Sequence, residues 1–233
     1  MSMIYLYGDS LLKATMPDES FRYHFHLDQL SSRYAGSPLT MVNRSKMGAT
    51  VAKGQSLLAH DLQREMPAQM ALIGYGGNDC DFCWQQIAEN PDGEHHPHTE
   101  LNTYLQALVR MAKDLLSRGI QPVLMTLPPI DARRYLDFIC RNGLNRERIM
   151  HWLGEEQMIY RHQELYSDAV AQLARQQDLP LIPVREAFLT ERHLQSLIAA
   201  DGIHLTMRGY ERLFDTLYNW FSVCPAPKCE AAG

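Results

Sequence analysis

The sequence contains no apolar run long enough to span a bilayer. It also has no excess of basic residues, because 22 Lys and Arg stand against 27 Asp and Glu, for a net charge of −5. This balance offers no basic face to nucleic acid or to an anionic membrane. We therefore expect no nucleic acid partner and no integral membrane segment, and the oligomeric state stays open.

A secretory signal is also missing, because no basic segment followed by an apolar region precedes the first strand-forming residues. The five cysteines are odd in number, so at least one thiol is unpaired. Since the chain also starts at Met1, we expect a cytoplasmic protein with reduced thiols.

The pattern of the 233 residues predicts an α/β fold. Hydrophobic residues make up 45% of the chain, enough for a core. Short apolar segments alternate with helical periodicity, which is typical of a parallel sheet. We predict strands at residues 3–7, 39–42, 70–75, 122–126 and 181–183, and helices at residues 101–118, 159–176 and 207–221. One domain is expected over residues 1–222, followed by a loose tail over residues 223–233.

A Gly-Asp-Ser-Leu segment at residues 8–11 follows the first predicted strand. Ser10 would lie where this strand turns toward a helix, at the sheet edge where parallel sheets bind ligands. It is therefore a candidate nucleophile. The alternative is that Asp9 and Ser10 only cap the next helix, as these residue types commonly do.

Asp201 and His204 are three residues apart, just before the last predicted helix. On a loop, this spacing lets the carboxylate contact the imidazole and fix its tautomer. The chain has ten histidines, so residue type alone does not single out His204. Its place at a second turn into a helix makes it the candidate general base for Ser10.

Two further segments could stabilise an oxyanion. Asn78 follows a predicted strand and two glycines, and its side-chain amide can donate a hydrogen bond. Gly48 follows another strand, and its N–H could face the same oxygen. The alternative for residues 76–79 is an ordinary Gly-Gly-Asn-Asp turn.

In this set of segments the chain resembles the SGNH hydrolases, also called GDSL esterases and lipases. The resemblance rests on Ser10, Gly48, Asn78, Asp201 and His204, which occur in the family's order, and it extends over residues 8–204. It implies a three-layer α/β/α sandwich with a five-stranded parallel sheet, a flavodoxin-like arrangement.

The resemblance also implies roles for these residues. Ser10 would be the nucleophile, His204 the base and Asp201 its orienting carboxylate. The oxyanion hole would consist of the Ser10 N–H, the Gly48 N–H and the Asn78 side chain. Such a reaction needs no cofactor and no metal.

Two short segments carry other candidate chemistry. Residues 95–98 contain His95, His96 and His98, which could ligate a metal, although loop histidines are more often exposed to solvent. Cys80 and Cys83 invite a redox or zinc interpretation. We expect neither, and we expect the Cys80 segment to form a wall of the acyl pocket.

Residues 128–157 leave the sheet after the fourth strand and mix cationic with aromatic side chains. They form either an irregular connector or a lid that selects the substrate. In the second case Arg134, Tyr135 and Trp152 are candidate substrate-binding residues.

Taken together, these patterns predict a serine ester hydrolase that acts on a small-molecule ester. The preferred substrate is a small or carbohydrate-linked acyl ester. A lysophospholipase or thioesterase is the alternative within the family. An inactive binding module on the same fold is the alternative from another class.

Overall fold

A five-stranded parallel sheet forms the centre of the protein. The computed structural model describes residues 2–224. In chain order, its strands and helices are β1 (Ser2–Gly8), β2 (Thr15–Pro17), β3 (Tyr23–Phe25), α1 (Leu27–Ser32), β4 (Leu39–Asn43), α2 (Val51–Asp61), β5 (Met70–Gly74), α3 (Trp84–Glu89), α4 (Leu101–Leu116), β6 (Gln121–Met125), α5 (Ala132–Cys140), α6 (Arg146–Leu153), α7 (Gln157–Gln176), β7 (Leu181–Ile182), α8 (Val184–Leu189) and α9 (Met207–Val223). A 3₁₀ turn at Leu194–Ser196 precedes α9.

The sheet has the strand order β4-β1-β5-β6-β7, and every neighbouring pair is parallel. In the central register, Ile4 of β1 lies between Met41 of β4 and Met70 of β5. All five residues of β5 are buried, as expected of a strand covered on both faces. The carboxyl ends of the strands therefore meet at one edge of the sheet.

Two apolar cores cover the two faces. One packs Ile73 and Leu124 of the sheet against α2, α4 and α7, while the other packs Leu72 and Met125 against α1, α8 and α9. Residues next to each other in β5 thus belong to opposite cores, which follows from the alternation of side chains along a strand. The predicted three-layer α/β/α sandwich is confirmed.

The three predicted helices are observed with shifted ends. The helix predicted over residues 101–118 ends at Leu116, and Gly119 follows with a φ of +69° that suits a residue without a Cβ. The last helix begins after Thr206, whose side chain accepts from the Gly209 N–H as a cap. This helix continues to Val223, the first residue of the predicted tail. Residues 225–233 of that tail lie outside the described residues.

The helix expected directly after Ser10 is not present. The chain makes a single turn, closed by a 3.0 Å bond from the Thr15 N–H to the Ser10 carbonyl, and Ala14 leaves it with a φ of +52°. An antiparallel hairpin of β2 and β3 follows, with Thr15 opposite Phe25. The left-handed conformation at Ala14 stops a helix in this place.

A third, smaller core lies beyond the carboxyl edge of the sheet. It joins α3 to α5 and α6 through buried apolar residues, among them Trp84, Leu136 and Ile149. Within residues 2–224, no helix combines the length and the apolar character that crossing a membrane requires.

Candidate active site

Ser10, His204 and Asp201 form a continuous chain of hydrogen bonds. Ser10 Oγ lies 2.9 Å from His204 Nε2, and His204 Nδ1 lies 2.7 Å from Asp201 Oδ2. All three are buried, with Asp201 fully enclosed. Because a carboxylate accepts, the Nδ1 nitrogen carries the ring proton, and Nε2 is left to accept from the serine hydroxyl.

The loop around Asp201 holds this geometry. Its other oxygen, Oδ1, accepts from the N–H groups of Ile203 (3.2 Å) and His204 (3.0 Å). Burial opposes ionisation of Asp201, but the hydrogen bonds from the His204 ring and from these amides outweigh it, so the pKa of Asp201 is lowered. The carboxylate is therefore charged at neutral pH and can stabilise an imidazolium.

Gly202, which follows Asp201 in this loop, occupies a position that has no room for a side chain. Its φ is +81°, and a Cβ there would lie 2.4 Å from the Tyr135 nitrogen and 2.6 Å from the Asp131 carbonyl oxygen. The Gly202 carbonyl also accepts from the Asp131 N–H at 2.8 Å. The loop of the candidate base thus packs directly on the first turn of α5.

Asn78 connects the loops after β1, β4 and β5. Its amide nitrogen donates to the Ala49 carbonyl at 3.2 Å and to Asp9 Oδ2 at 3.4 Å. Asp9 also accepts from the Leu11 N–H at 2.9 Å. Burial raises the pKa of Asp9 to about 6.

Gly48 lies on an exposed turn next to Ala49, with a φ of +69°. Among the described residues, no acceptor is found for its N–H. The bond from Asn78 to Ala49 ties this turn to the Asn78 loop. The structure therefore brings Gly48 beside Asn78, but not among the residues that line the pocket described next.

A pocket opens beside Ser10 and His204. Its cavity has a volume of about 90 Å³. Most of the wall is apolar or aromatic, and among residues 2–224 no Lys or Arg lines it. The lining side chains outside the hydrogen-bonded chain include Leu127, Pro128, Ile130, Phe82, Trp84, Trp152, Met158, Ile159 and His162.

The segment at residues 128–157 supplies part of this wall, and two of its three candidate residues are there. Tyr135 of α5 and Trp152 of α6 line the pocket. Arg134 is not among the residues that line it. Its guanidinium donates to the carbonyls of Gln195 (2.9 Å) and Ile198 (2.7 Å), so it supports the loop before Asp201.

Asp81 is a pocket residue that the sequence did not single out. Its carboxylate accepts from Tyr135 Oη at 2.6 Å and from Trp84 Nε1 at 2.9 Å. Burial raises the pKa of Asp81. The two hydrogen bonds of Asp81 join the loop after β5 to α3 and α5, and no local sequence pattern predicts them.

The structural role of Asp79 was also not predicted from the sequence. Both of its oxygens face the Val51 N–H, at 3.0 and 3.1 Å, so it caps the first turn of α2 from a different loop. Thr50, the residue at the cap position itself, makes no side-chain bond there. A Gly-Gly-Asn-Asp segment therefore directs Asn78 to the pocket and Asp79 to a helix.

The histidines at residues 95–98 do not converge on one point. His95 bonds the Asn90 carbonyl, His96 bonds Glu100, and the His98 ring bonds the Asn78 carbonyl at 3.0 Å. Within residues 2–224 no group of three or more His, Cys, Asp or Glu could hold a metal ion. His98 instead supports the loop that carries Asn78.

The two neighbouring cysteines differ in environment. Cys80 is buried, lines the pocket and approaches the Gly77 carbonyl at 3.3 Å, while Cys83 is exposed and precedes α3. Both are free thiols. Burial raises the pKa of Cys80, so this thiol is a wall residue with little thiolate character.

Comparison with known proteins places these features in context. A model of the GDSL-like lipase/acylhydrolase family matches residues 6–212. An isoamyl acetate-hydrolyzing esterase of Saccharomyces cerevisiae is 21% identical over 216 residues, covering 91% of this chain and 82% of that protein.

Two solved structures show the same fold. A lipase/acylhydrolase from Enterococcus faecalis is 20% identical, with a TM-score of 0.62 and 95% of each chain covered. A catalytic mutant of an acetylxylan esterase from Geobacillus stearothermophilus is 18% identical, with a TM-score of 0.63, covering 94% of this chain and 93% of that one. The family match runs from β1 into α9 and includes every segment of the site.

Proposed function

The chain belongs to the GDSL-like lipase/acylhydrolase family and is a carboxylic ester hydrolase, and we propose that it works through an acyl-enzyme formed on Ser10. The observation that carries this proposal is the pair of hydrogen bonds, 2.9 and 2.7 Å long, that joins Ser10 to His204 and His204 to Asp201. Such a chain activates a hydroxyl that is otherwise a weak nucleophile.

In the proposed first half-reaction, Ser10 Oγ attacks the ester carbonyl carbon while His204 Nε2 takes its proton. The tetrahedral intermediate then loses the alkoxy group, to which His204 returns the proton, so the alcohol leaves and the acyl group stays on Ser10. In the second half, a water repeats the attack with the same base, and the carboxylic acid is released. Asp201 stays ionised throughout and stabilises the imidazolium.

The oxyanion would be stabilised by the N–H groups of Ser10 and Gly48 and by the Asn78 amide. Gly48 supports this assignment through its N–H, for which the described residues provide no acceptor. The Asn78 amide has a 3.4 Å contact with Asp9, which is long for a hydrogen bond. One of its hydrogens can therefore turn toward an oxyanion at small cost.

For the substrate we propose an ester with a small apolar acyl group. A cavity of about 90 Å³ suits an acyl group of a few carbon atoms better than a long fatty chain. The absence of Lys and Arg from the lining, among residues 2–224, offers no partner to the phosphate of a lysophospholipid. The yeast relative, by its name, hydrolyses an acetate ester. Aromatic residues such as Trp152 provide surface for a sugar or another bulky alcohol.

The test combines labelling with a panel of substrates. A small organophosphonate should label the wild-type protein at one site per chain, and Ser10→Ala should abolish both labelling and ester hydrolysis. Ser56→Ala, on the exposed side of α2, is the matched control and should behave as the wild type. The panel varies the acyl length at fixed alcohol and includes a thioester and a lysophospholipid. Near-normal turnover by purified Ser10→Ala would sink the mechanism, and faster hydrolysis of long acyl chains would overturn the substrate assignment.

A further inference from the structure

The hairpin that replaces the expected helix brings one side chain to Asp201 and His204. Tyr23, at the start of β3, pairs with Pro17 of β2. Its hydroxyl donates to Asp201 Oδ2 at 3.4 Å, and its ring contacts that of His204 with the centroids 5.0 Å apart and the planes tilted by 52°. Tyr23 does not line the pocket, so it has no contact with a substrate there.

The Tyr23 hydroxyl completes the hydrogen bonding of Asp201. A carboxylate has about four acceptor positions on its two oxygens. Oδ1 accepts from the amides of Ile203 and His204, and Oδ2 accepts from His204 Nδ1 and from Tyr23. Three of these hydrogen bonds are 2.7 to 3.2 Å long, and the longer 3.4 Å contact of the Tyr23 hydroxyl occupies the remaining position on Oδ2.

The hydroxyl stays a donor over the whole pH range in which His204 can act. Burial and the nearby charge of Asp201 raise the pKa of Tyr23 to about 12, while Arg141, which follows α5, opposes this rise. Two titratable groups on other elements are near this pair: Asp9 lies near the imidazole of His204, and Tyr210 of α9 lies near Asp201. Among these groups, only Tyr23 and the His204 ring donate side-chain hydrogen bonds to Asp201.

The hairpin itself is held in place from both sides. Tyr210 Oη donates to the Thr15 carbonyl on β2. At the hairpin tip, Phe21 packs against Phe138 of α5 with ring centroids 5.1 Å apart, and the Arg141 guanidinium covers Phe138 at 3.5 Å. The tyrosine therefore lies on a supported element that also contacts the pocket-forming segment.

We propose that Tyr23 is a positioning residue of this active site, whose hydroxyl fixes the Asp201 carboxylate and whose ring fixes the plane of the His204 imidazole. The proposal rests on the function proposed above, because it assumes that His204 is the base. It predicts that loss of the hydroxyl alone weakens the chemical step and leaves substrate binding unchanged.

Tyr23→Phe tests this prediction, since it removes the hydroxyl and keeps the ring. We expect kcat to fall only about three- to tenfold with KM unchanged, because the 3.4 Å contact is longer than an ordinary O–H···O hydrogen bond and is therefore weak. The acidic limb of the kcat/KM profile should move to higher pH, because an Asp201 with one donor fewer is a stronger base toward His204. The low-field proton resonance of His204 Nδ1–H should shift as well.

Tyr34→Phe is the matched control, because that hydroxyl also donates to a carboxylate, Asp215 of α9, at 2.7 Å, and neither residue lines the pocket. It should leave kcat, the pH profile and the resonance as in the wild type. Tyr23→Ala should lower kcat further than Tyr23→Phe, since it also removes the ring that contacts the His204 imidazole.

Unchanged kcat, pH profile and resonance in Tyr23→Phe would overturn the proposal, as would a loss that appears only in KM or only in thermal stability. Failure of the proposed function looks different, because Ser10→Ala would then retain hydrolysis. The resonance needs no substrate, so it reports on the contact between Tyr23 and Asp201 in either case.

Discussion

Replacing Asp201 by Asn tests whether this carboxylate sets the tautomer of His204. The Oδ1 position accepts from two backbone N–H groups at 3.0 and 3.2 Å. The oxygen of an Asn side chain will therefore occupy this position, because an NH₂ group there would oppose two donors. The NH₂ group is then directed at His204 Nδ1, which is 2.7 Å from the present Oδ2.

An NH₂ group facing Nδ1 forces the imidazole to accept at Nδ1 and to carry its proton on Nε2. Nε2 is the atom that faces Ser10 Oγ at 2.9 Å, so the ring can no longer take the serine proton. We expect kcat to fall by about 10⁴-fold, which corresponds to about 5 kcal/mol of barrier. KM should change little, because Asp201 is fully buried and does not line the pocket.

The assay measures kcat and KM on a short-chain ester, together with the rate of organophosphonate labelling of Ser10. Both rates should fall together, since both need the serine to lose its proton. Asp215→Asn, on α9, is the control for removal of a carboxylate outside the site, and it should keep full activity. Asp201→Asn with kcat within tenfold of the wild type, in a folded protein, would refute the assignment of the tautomer.

Four further results are expected. Asn78→Ala should lower kcat by roughly 10²- to 10³-fold with little change in KM, as measured by steady-state kinetics, because its amide would act mainly in the transition state; a rise in KM alone would make it a binding residue. Asp9→Asn should change how stability depends on pH. Burial raises the pKa of Asp9 from 3.8 to about 6, so the folded wild type holds this proton more tightly than its unfolded chain does. The unfolding free energy of the wild type, relative to that of the variant, should therefore fall by about 3 kcal/mol as the pH rises through that interval. Urea titrations across the interval measure it, and a constant difference would contradict it. Tyr135→Phe and Trp152→Ala should change the ranking of kcat/KM across the ester panel but leave Ser10 labelling nearly intact; an unchanged ranking would make residues 128–157 a connector only. Activity should also survive EDTA and mild reductant, and its loss on chelation with recovery on zinc would revive a metal role.

The residues of the candidate site could be predicted because each lies in a short segment next to a recognisable strand or helix. Ser10 and Asn78 follow apolar strands, and the ends of parallel strands meet at one edge of the sheet. His204 and Asp201 are close in sequence, so their contact is local. For these residues, the strand pattern and the short separation along the chain were sufficient to predict their positions.

The sequence could not predict the contacts that join distant segments. Ala14 adopts a φ of +52° without being a glycine, so nothing in the residue type announces that the first turn stops and a hairpin follows. Tyr23 is 178 positions from Asp201, and its role follows only from that hairpin. The Arg134 guanidinium donates to backbone carbonyls of a loop more than 60 positions away, a contact that the sequence does not indicate. These contacts depend on tertiary packing, which hydrophobic periodicity does not encode.

The site contains three buried carboxylates, Asp9, Asp79 and Asp201, and a half-buried one, Asp81, and their partners separate their roles. Asp201 faces an imidazole and two amides, and its pKa is lowered, so it is a charged group that favours the imidazolium. Asp9, Asp79 and Asp81 have raised pKa values because burial dominates in each case. These three bind backbone N–H, amide, indole or phenol groups of other elements, and each holds two loops or helices together. Among these four carboxylates, only Asp201 accepts a hydrogen bond from the His204 ring, so it is the one that can stabilise the imidazolium formed when Ser10 loses its proton. The other three shape the loops around the serine, so their substitution should affect stability and geometry before it affects the proton transfer itself.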